Sequence, residues 1–227
     1  MTTRLTGMRR VGLLISAVTV AVMAGGVSTA SGATAGATVD AAALPSDAVT
    51  AKVVTMNGSG CPAGTASVRA NSDNTGFAVT YNQYVATAGA EADNVDFRKN
   101  CQLAVQLGIP SGFTYAIARA DYSGWGHLAT GATGLQRANY YFQGASSNSF
   151  SDHKFTGPFS GRWQASDETD MAEMVYAPCG ETRFLNINTE LRVNDGSADP
   201  KTTSALSMRY ASGSVSTIYN LSWKQCP

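Results

Sequence analysis

The stretch Phe184–Val193, FLNINTELRV, alternates residue by residue between two kinds of side chain. One face carries Leu185, Ile187, Thr189, Leu191 and Val193, and the other carries Asn186, Asn188, Glu190 and Arg192. Because successive side chains of a strand point to opposite faces of its sheet, this period of two predicts a strand with one dry face and one wet face. Asn194-Asp195-Gly196 follows, a sequence typical of a reverse turn.

The same alternation recurs along the chain, most clearly in Val215–Lys224 and Cys101–Leu107. Further predicted strands are Thr65–Ala70, Gly76–Tyr84, Phe113–Ala120, Leu135–Gln143, Phe150–Thr156, Glu173–Pro178 and Ala205–Tyr210. Turn residues separate them, among them Ser123-Gly124 and Gly157-Pro158. No stretch keeps a helical period for more than about two turns, and the best helix candidate is Val85–Asp96. Many short strands with frequent turns predict an all-β fold, an antiparallel two-sheet β-sandwich of jelly-roll-like organisation.

The first residues have the layout of a secretory signal peptide. Arg4, Arg9 and Arg10 precede an apolar run, Val11–Met23, and small residues follow. The run is short for a membrane span, and no later segment is apolar enough for one. We therefore predict a signal peptide over residues 1–30, with cleavage as late as residue 35, and a secreted product. Residues 31–50 then form a flexible lead-in to a single β-sandwich domain, 51–227.

The charge balance argues against a nucleic-acid partner. The chain has 16 Lys and Arg against 16 Asp and Glu, a formal net charge of zero. Removal of the three arginines of the signal leaves 13 basic and 16 acidic residues, a net charge of −3. That balance gives solubility and no overall attraction for polyanions. We expect no nucleic-acid partner, no membrane span and a monomer.

Four cysteines, all beyond the signal, fit an exported protein with two disulfides. Neighbours in sequence are often neighbours in an antiparallel sheet, which favours Cys61–Cys101 with Cys179–Cys226. A Cys61–Cys226 bond, joining the first strand to the last, is the alternative. None of the four forms a Cys-x-x-Cys pair, so neither a zinc ribbon nor a thioredoxin-type site is expected.

The surroundings of these cysteines carry a resemblance. The ordered landmarks are Gly58–Pro62, Arg98–Leu103, Tyr140-Tyr141-Phe142, Phe155–Pro158, Ala177–Gly180, Leu185–Thr189 and Trp223–Cys226. Together they resemble a family of secreted proteins known as domain of unknown function 4360, over about Val53–Cys226. The resemblance implies an exported, disulfide-bonded, β-rich domain. The resemblance does not assign an activity to the chain, and it assigns no catalytic residues.

An acidic run, Asp167–Glu173, offers the sharpest chemical possibility. It matches Glu-x-Asp-x-x-Glu, which resembles the pattern of sandwich-fold β-glucanases, where a bulged strand brings two glutamates to about 5–5.5 Å for retaining hydrolysis. Glu168 would be the nucleophile, Glu173 the acid/base and Asp170 a neighbour that raises a pKa by like charge. Thr169 and Ala172 replace the apolar residues that such a strand packs inward.

Two other interpretations of this run stay open. It reads more simply as a solvated acidic loop entering the predicted strand Glu173–Pro178. Its carboxylates, Asp167, Glu168 and Asp170, are also candidate ligands for Ca²⁺, which takes oxygen ligands from irregular loops. No other cofactor is expected.

The histidines do not suggest catalysis. His127 and His153 stand in separate turn-rich segments, and no Gly-x-Ser-x-Gly sequence occurs. His153, between Asp152 and Lys154, is predicted to be an exposed spectator.

Aromatic and amide side chains offer a candidate binding surface. Tyr122, Trp125, Tyr140 and Tyr141 cluster in sequence, and Trp125 stands in Ser-Gly-Trp-Gly, which we interpret as a loop. Asn186 and Asn188 on the wet face could add hydrogen bonds. Trp163 and Trp223 are assigned to the core. The candidate ligand-binding residues are thus Tyr122, Trp125, Asn186 and Asn188.

The sequence as a whole favours a secreted, non-catalytic binding or interaction module, with a glycan or cell-envelope polymer as its first candidate ligand. One alternative is a glycoside hydrolase that uses Glu168 and Glu173. The other is a secreted protein-binding or inhibitor domain, which would show an exposed apolar patch.

Overall fold

The computed structural model of the protein describes residues 44–145, 150–209 and 215–227. These residues form strands and turns without a helix. In chain order the strands are β1 (Thr50–Asn57), β2 (Ala66–Ala70), β3 (Gly76–Tyr81), β4 (Val85–Gly89), β5 (Arg98–Gly108), β6 (Phe113–Leu128), β7 (Thr133–Phe142), β8 (Ser151–Thr156), β9 (Phe159–Glu168), β10 (Leu185–Asn194), β11 (Thr203–Ser207) and β12 (Val215–Gln225).

The strands form two antiparallel sheets. Sheet A has five strands in the order β1-β5-β10-β7-β8, so β10 lies at its centre. Sheet B has seven strands: six follow the order β2-β3-β12-β6-β11-β4, and β9 pairs with β6. The long strand β6 contacts β12 and then β11 along one edge, and β9 along the other. The all-β, two-sheet prediction is confirmed.

The core lies between the inner faces of the two sheets. Aromatic rings meet there from both sides: the rings of Tyr115 and Phe142 are 5.3 Å apart, and those of Phe155 and Trp163 are 5.2 Å apart. The five predicted inner residues of β10 are at most 3% exposed, and Trp163 and Trp223 are buried as predicted. The period of two therefore assigned the faces of β10 correctly.

Both disulfides join the pairs that the sequence favoured. Cys61 is bonded to Cys101, and Cys179 is bonded to Cys226. The alternative Cys61–Cys226 bond is wrong. Cys61 lies close to Cys101 because β1 pairs with β5 and the amide of Gly60 donates to the Asn100 carbonyl oxygen at 2.8 Å.

The turn predicted at Ser123-Gly124 is wrong, because β6 continues to Leu128. Gly124 lies inside this strand, opposite Trp163 of β9. A Cβ atom on Gly124 would lie 1.9 Å from the Ser207 carbonyl oxygen and 2.5 Å from the Trp163 indole. Glycine is needed here for close approach of neighbouring groups, and the sequence pattern does not distinguish this role from a turn.

Three further elements differ from the prediction. The helix candidate Val85–Asp96 is wrong: it begins with β4, which pairs with β11. The predicted strand Glu173–Pro178 is a loop beside β6, linked to it by an amide hydrogen bond from Ala177 to the Tyr115 carbonyl oxygen. Strand β9 was missed, although Phe159, Trp163 and Ala165 stand at its inward positions.

The predicted signal peptide, its cleavage site and the lead-in up to residue 43 lie outside the described residues. The described end of the lead-in contacts the sandwich. The side-chain amide of Asn74 donates to the carbonyl oxygens of Pro45, at 2.8 Å, and Asp47, at 2.9 Å, and Val49 is buried.

Candidate functional site

Asn186 and Asn188 lie at the centre of the outer face of sheet A, meaning the outward-pointing side chains of its five strands. Both are half-buried on β10. Asn188 stands opposite Gln102 of β5 on one side and Asn139 of β7 on the other. The side-chain amides of three neighbouring strands thus form a row across the sheet. The alternation in β10 predicted the outward position of Asn188, but not which residues of β5 and β7 lie beside it.

This row borders a shallow groove of about 260 Å³. The groove residues are Arg98, Asn100, Gln102, Arg137, Phe150, Asn188, Thr189, Glu190 and Arg192. The ring of Phe150 is 55% exposed. Each amide offers a carbonyl acceptor and two N–H donors, so the groove can both donate and accept hydrogen bonds.

Charged pairs fix the arginines of the groove. The buried carboxylate of Glu190 accepts from Arg98 Nε at 2.6 Å and pairs with Arg192 through its other oxygen. Arg137 binds Asp152 with two hydrogen bonds, at 2.5 and 2.6 Å. These bonds from Arg137 lower the pKa of Asp152 below its ordinary value.

Trp125 lies away from this groove, on the outer side of β6 in sheet B. It stands on a strand and not in the loop we predicted, because Ser123-Gly124 continues β6. Its side chain is 37% exposed and stacks on His127, with ring centroids 6.3 Å apart. Trp125 and the asparagines therefore do not form one surface.

Tyr122 lies inside the sandwich, only 1% exposed. It is three residues from Trp125 on the same strand, and the alternation of β6 turns its ring towards the core. In this structure the ring is not available for stacking on a ligand from solvent. The grouping of aromatics in the sequence thus did not distinguish the two faces of β6.

A second site is a cavity of about 420 Å³ at one edge of the sandwich, where β7 extends beyond its pairing with β8. Its walls come from β7, from the end of β9 and from the loop that follows β9. The lining includes Ile117, Asn139, Tyr140, Tyr141, Phe142, Ser151, Asp167, Glu168, Thr169, Glu173 and Val175. Tyr140 and Tyr141, two of the clustered aromatics, lie here.

Asp167, which lines this cavity, forms a hydrogen-bonded trio with the buried Tyr122 and the half-buried His153. Asp167 Oδ2 accepts from the Tyr122 hydroxyl at 2.9 Å, and Asp167 Oδ1 lies 2.8 Å from His153 Nε2. Burial, followed by the nearby Tyr219 and Asp167, raises the pKa of Tyr122 well above its ordinary value, so the hydroxyl keeps its proton. The exposed-spectator prediction for His153 is wrong. The sequence feature that we missed was the alternation in β9, which turns the side chain of Asp167 inward.

The glutamates of the acidic run both line the cavity, but on different elements. Glu168 is the last residue of β9, and its carboxylate pairs with Arg119 at 2.5 Å. Glu173 is exposed in the following loop, where its amide donates to the Asp170 carbonyl oxygen. The run is therefore the end of one strand followed by a loop, and not a single bulged strand.

Two of the three candidate calcium ligands already bind other side chains. Asp167 uses both carboxylate oxygens within the trio, and Glu168 is paired with Arg119. Among the described residues, no group of three or more His, Cys, Asp or Glu side chains is placed to hold a metal ion. Calcium binding at Asp167, Glu168 and Asp170 stays a prediction.

Comparison with known proteins identifies the family of the chain. The model of a family described as a domain of unknown function, DUF4360, matches residues 47–226. The chain belongs to the DUF4360 family. A protein of Arthroderma benhamiae, described as an uncharacterized secreted protein, is 33% identical to this DUF4360 chain over 173 residues. The match covers 76% of this chain and 70% of that protein.

These findings also bear on location. The prediction of a secreted DUF4360 protein is confirmed by the secreted relative. Across residues 44–145, 150–209 and 215–227, no helix has the length and apolarity needed to cross a membrane.

Proposed function

We propose that this DUF4360 domain is a non-catalytic binding module that takes a glycan or cell-envelope polymer on the outer face of sheet A. The observation that supports the proposal is the row formed by Asn188 and Gln102 at the centre of that face, beside an open groove. A rigid central strand holds this row, so ligand contacts need little ordering of the protein.

The chemistry of the groove suits a polymer of sugars. Sugar hydroxyls both donate and accept hydrogen bonds, as do Asn100, Gln102 and Asn188. The exposed ring of Phe150 offers an apolar surface for the flat side of a pyranose. A groove that is open along the sheet accepts an extended chain without a closed pocket.

A pull-down of the mature protein tests this proposal. Insoluble chitin, cellulose, β-glucan and peptidoglycan would be used, each with calcium and with chelator. We expect retention on at least one polymer, and a five- to tenfold weaker affinity for Asn188→Ala, because about 1 kcal/mol is lost per hydrogen bond. Asn82→Ala, an exposed asparagine elsewhere, is the matched control.

Trp125→Ala separates the two faces in the same assay. If the ligand binds sheet A, this variant is retained like the unmodified protein. Loss of binding with Trp125→Ala but not with Asn188→Ala would move the site to sheet B. Dependence of retention on calcium would support the calcium prediction. If no polymer retains the protein, the alternative of a protein-binding domain is favoured. The exposed Met171 and Val175 are then the first candidate residues for the contact with a protein partner.

A glycoside hydrolase is the second candidate function. The specific observation in its favour is that Glu168 and Glu173 line the same cavity, together with Tyr140 and Tyr141. Two carboxylates facing one sugar-sized space are the minimum for acid/base hydrolysis. Arg119 pairs with one oxygen of the Glu168 carboxylate at 2.5 Å and holds it in place at the cavity.

Release of reducing sugar from the same polymers tests this candidate. We expect Glu173→Gln to reduce any such activity by at least about a hundredfold, since it removes the general acid. Glu91→Gln, an exposed glutamate remote in sequence, is the control. Binding without sugar release, or activity that survives Glu173→Gln, would reject the hydrolase.

A further inference from the structure

We infer that the outer face of sheet A is specific for an anionic polysaccharide, one that carries carboxylate groups. The inference rests on the proposed function, because it names the ligand class of the same face. The inference is drawn from the positive charge of that face, which the net charge of the whole chain does not reveal.

Cationic side chains are concentrated on this face. Alternation and register point five of them outward from the described strands of sheet A: Lys52, Arg98, Arg137, Lys154 and Arg192. Only two acidic side chains on these strands, Asp152 and Glu190, point the same way. The face therefore has a net charge of +3, whereas the chain from residue 31 onward has −3. An anionic ligand would meet a favourable local field despite the acidic total.

The pairing around Glu190 leaves a positive excess at the centre of the groove. Arg98 and Arg192 stand directly opposite each other on β5 and β10, and both pair with this single carboxylate. Glu190 is buried, whereas the two arginine side chains are 47% and 45% exposed. One carboxylate neutralises one of the two guanidinium charges. The remaining charge and the unused N–H donors are accessible to an incoming anion.

The outer face of sheet B does not have this arrangement. Arg119, on β6, is flanked by two carboxylates, those of Asp121 and Glu168. The other cations of the described strands of sheet B lie on three different strands: Arg69 on β2, Arg162 on β9 and Lys224 on β12, where its ammonium lies 3.9 Å from the centre of the Tyr176 ring. The described cations of sheet B are therefore dispersed or neutralised, whereas those of the groove converge.

Arginine pairs with a carboxylate through its planar fork of N–H donors, and this face already contains one such pair. Arg137 already holds the Asp152 carboxylate with two parallel hydrogen bonds, the planar geometry in which guanidinium and carboxylate pair best. Beside the arginines, Asn188 and Gln102 are placed for sugar hydroxyls. Arg98, Arg192 and Arg137 lie on three adjacent strands, β5, β10 and β7, which together are about 10 Å wide. Because Asp152 already pairs with Arg137, a carboxylate of the ligand would bind first at Arg98 and Arg192.

The test compares binding to soluble polygalacturonate with binding to a neutral soluble β-glucan. The variant Lys52→Gln/Lys154→Gln removes two exposed charges from the face without touching the Glu190 or Asp152 pairs. An exposed ion pair contributes about 0.2–1 kcal/mol, so the loss of two charges should weaken binding to polygalacturonate by about tenfold, and binding should be lost at 1 M salt, where the screening length falls to about 3 Å. Arg69→Gln/Lys201→Gln removes the same charge elsewhere and should leave binding unchanged.

Arg192→Gln is a second variant for the groove itself. It leaves Glu190 paired with Arg98, so the protein should fold, and loss of one ion pair of about 1 kcal/mol should weaken binding to polygalacturonate about fivefold. Thermal unfolding of each variant checks that a loss of binding does not arise from a loss of structure.

Each outcome separates this inference from the function on which it rests. If the neutral β-glucan binds as tightly as polygalacturonate, and this binding depends on Asn188 but not on Lys52 and Lys154, the proposed function stands and the inference is overturned. Equal binding to a DNA duplex overturns selectivity for carboxylate, as does an equal effect of the control variant. Absence of binding to all of these polymers, soluble and insoluble, rejects both.

Discussion

Gly124→Ala lowers the free energy of unfolding by about 3–5 kcal/mol, a large loss for one added methyl group. The added Cβ atom would lie 1.9 Å from the Ser207 carbonyl oxygen, which belongs to the backbone of β11 and cannot rotate away. The Trp163 indole, at 2.5 Å, closes the other side. To admit the methyl group, β6 must separate from β11 or the buried tryptophan must move. Urea unfolding monitored by tryptophan fluorescence measures the change.

Gly64→Ala is the control for this prediction. Gly64 has a φ of +82°, but no atom lies within 4 Å of the position of its Cβ. The change should therefore cost only the strain of a left-handed backbone, about 1–2 kcal/mol. Equal losses for the two variants would mean that crowding around Gly124 is not the reason for its glycine.

The sequence could predict what depends on neighbours along the chain. The alternation in Phe184–Val193 requires only the geometry of a single strand, so it assigned the inner and outer faces of β10 correctly. Asn186 and Asn188 were placed on the wet face for the same reason. The cysteine pairs were also predicted correctly, but the structural reason differs from the one we used: β1 and β5, whose pairing brings Cys61 close to Cys101, are separated in the chain by β2, β3 and β4.

What failed depends on which strand joins which sheet. Trp125 was predicted to lie in a loop and Asn188 on the wet face of a strand, but Trp125 lies on β6 in sheet B and Asn188 on β10 in sheet A. The contact of His153 with Asp167 crosses from β8 in one sheet to β9 in the other. Pairing between distant segments is set by the packing of the whole core, and a local pattern contains little information about it.

The charge of the candidate site shows the same limit. A count of basic and acidic residues describes the whole chain, whereas a ligand meets one face. Arg98 and Arg192 are 94 positions apart in the sequence, and only the register of β5 with β10 places them on the same carboxylate. The composition excluded strong overall attraction for polyanions, but it could not exclude a local one.

Replacement of Cys61 and Cys101 by alanine is expected to have the other large effect on stability. The disulfide links two cysteines that are 40 positions apart in the sequence, and so closes a loop of about that length. Loss of such a cross-link costs about 4 kcal/mol through the greater freedom of the unfolded chain. Both cysteines are at most 1% exposed, so the variant also loses packing in the core. Together these losses lower the melting temperature by at least about 8 °C for a domain of this size.

The pair Cys179 and Cys226 provides the comparison, because its sequence separation of 47 predicts nearly the same entropic cost. Cys179 is exposed and Cys226 half-buried, so their replacement leaves less of a void. We therefore expect a smaller fall in melting temperature than for Cys61 and Cys101. Cys179 also anchors the loop between β9 and β10, which contributes Glu173 and Val175 to the cavity. Limited proteolysis should cut this loop in the Cys179→Ala/Cys226→Ala variant and spare it in the other. A larger thermal loss for the exposed pair would show that it holds the fold together, and not only one wall of the cavity.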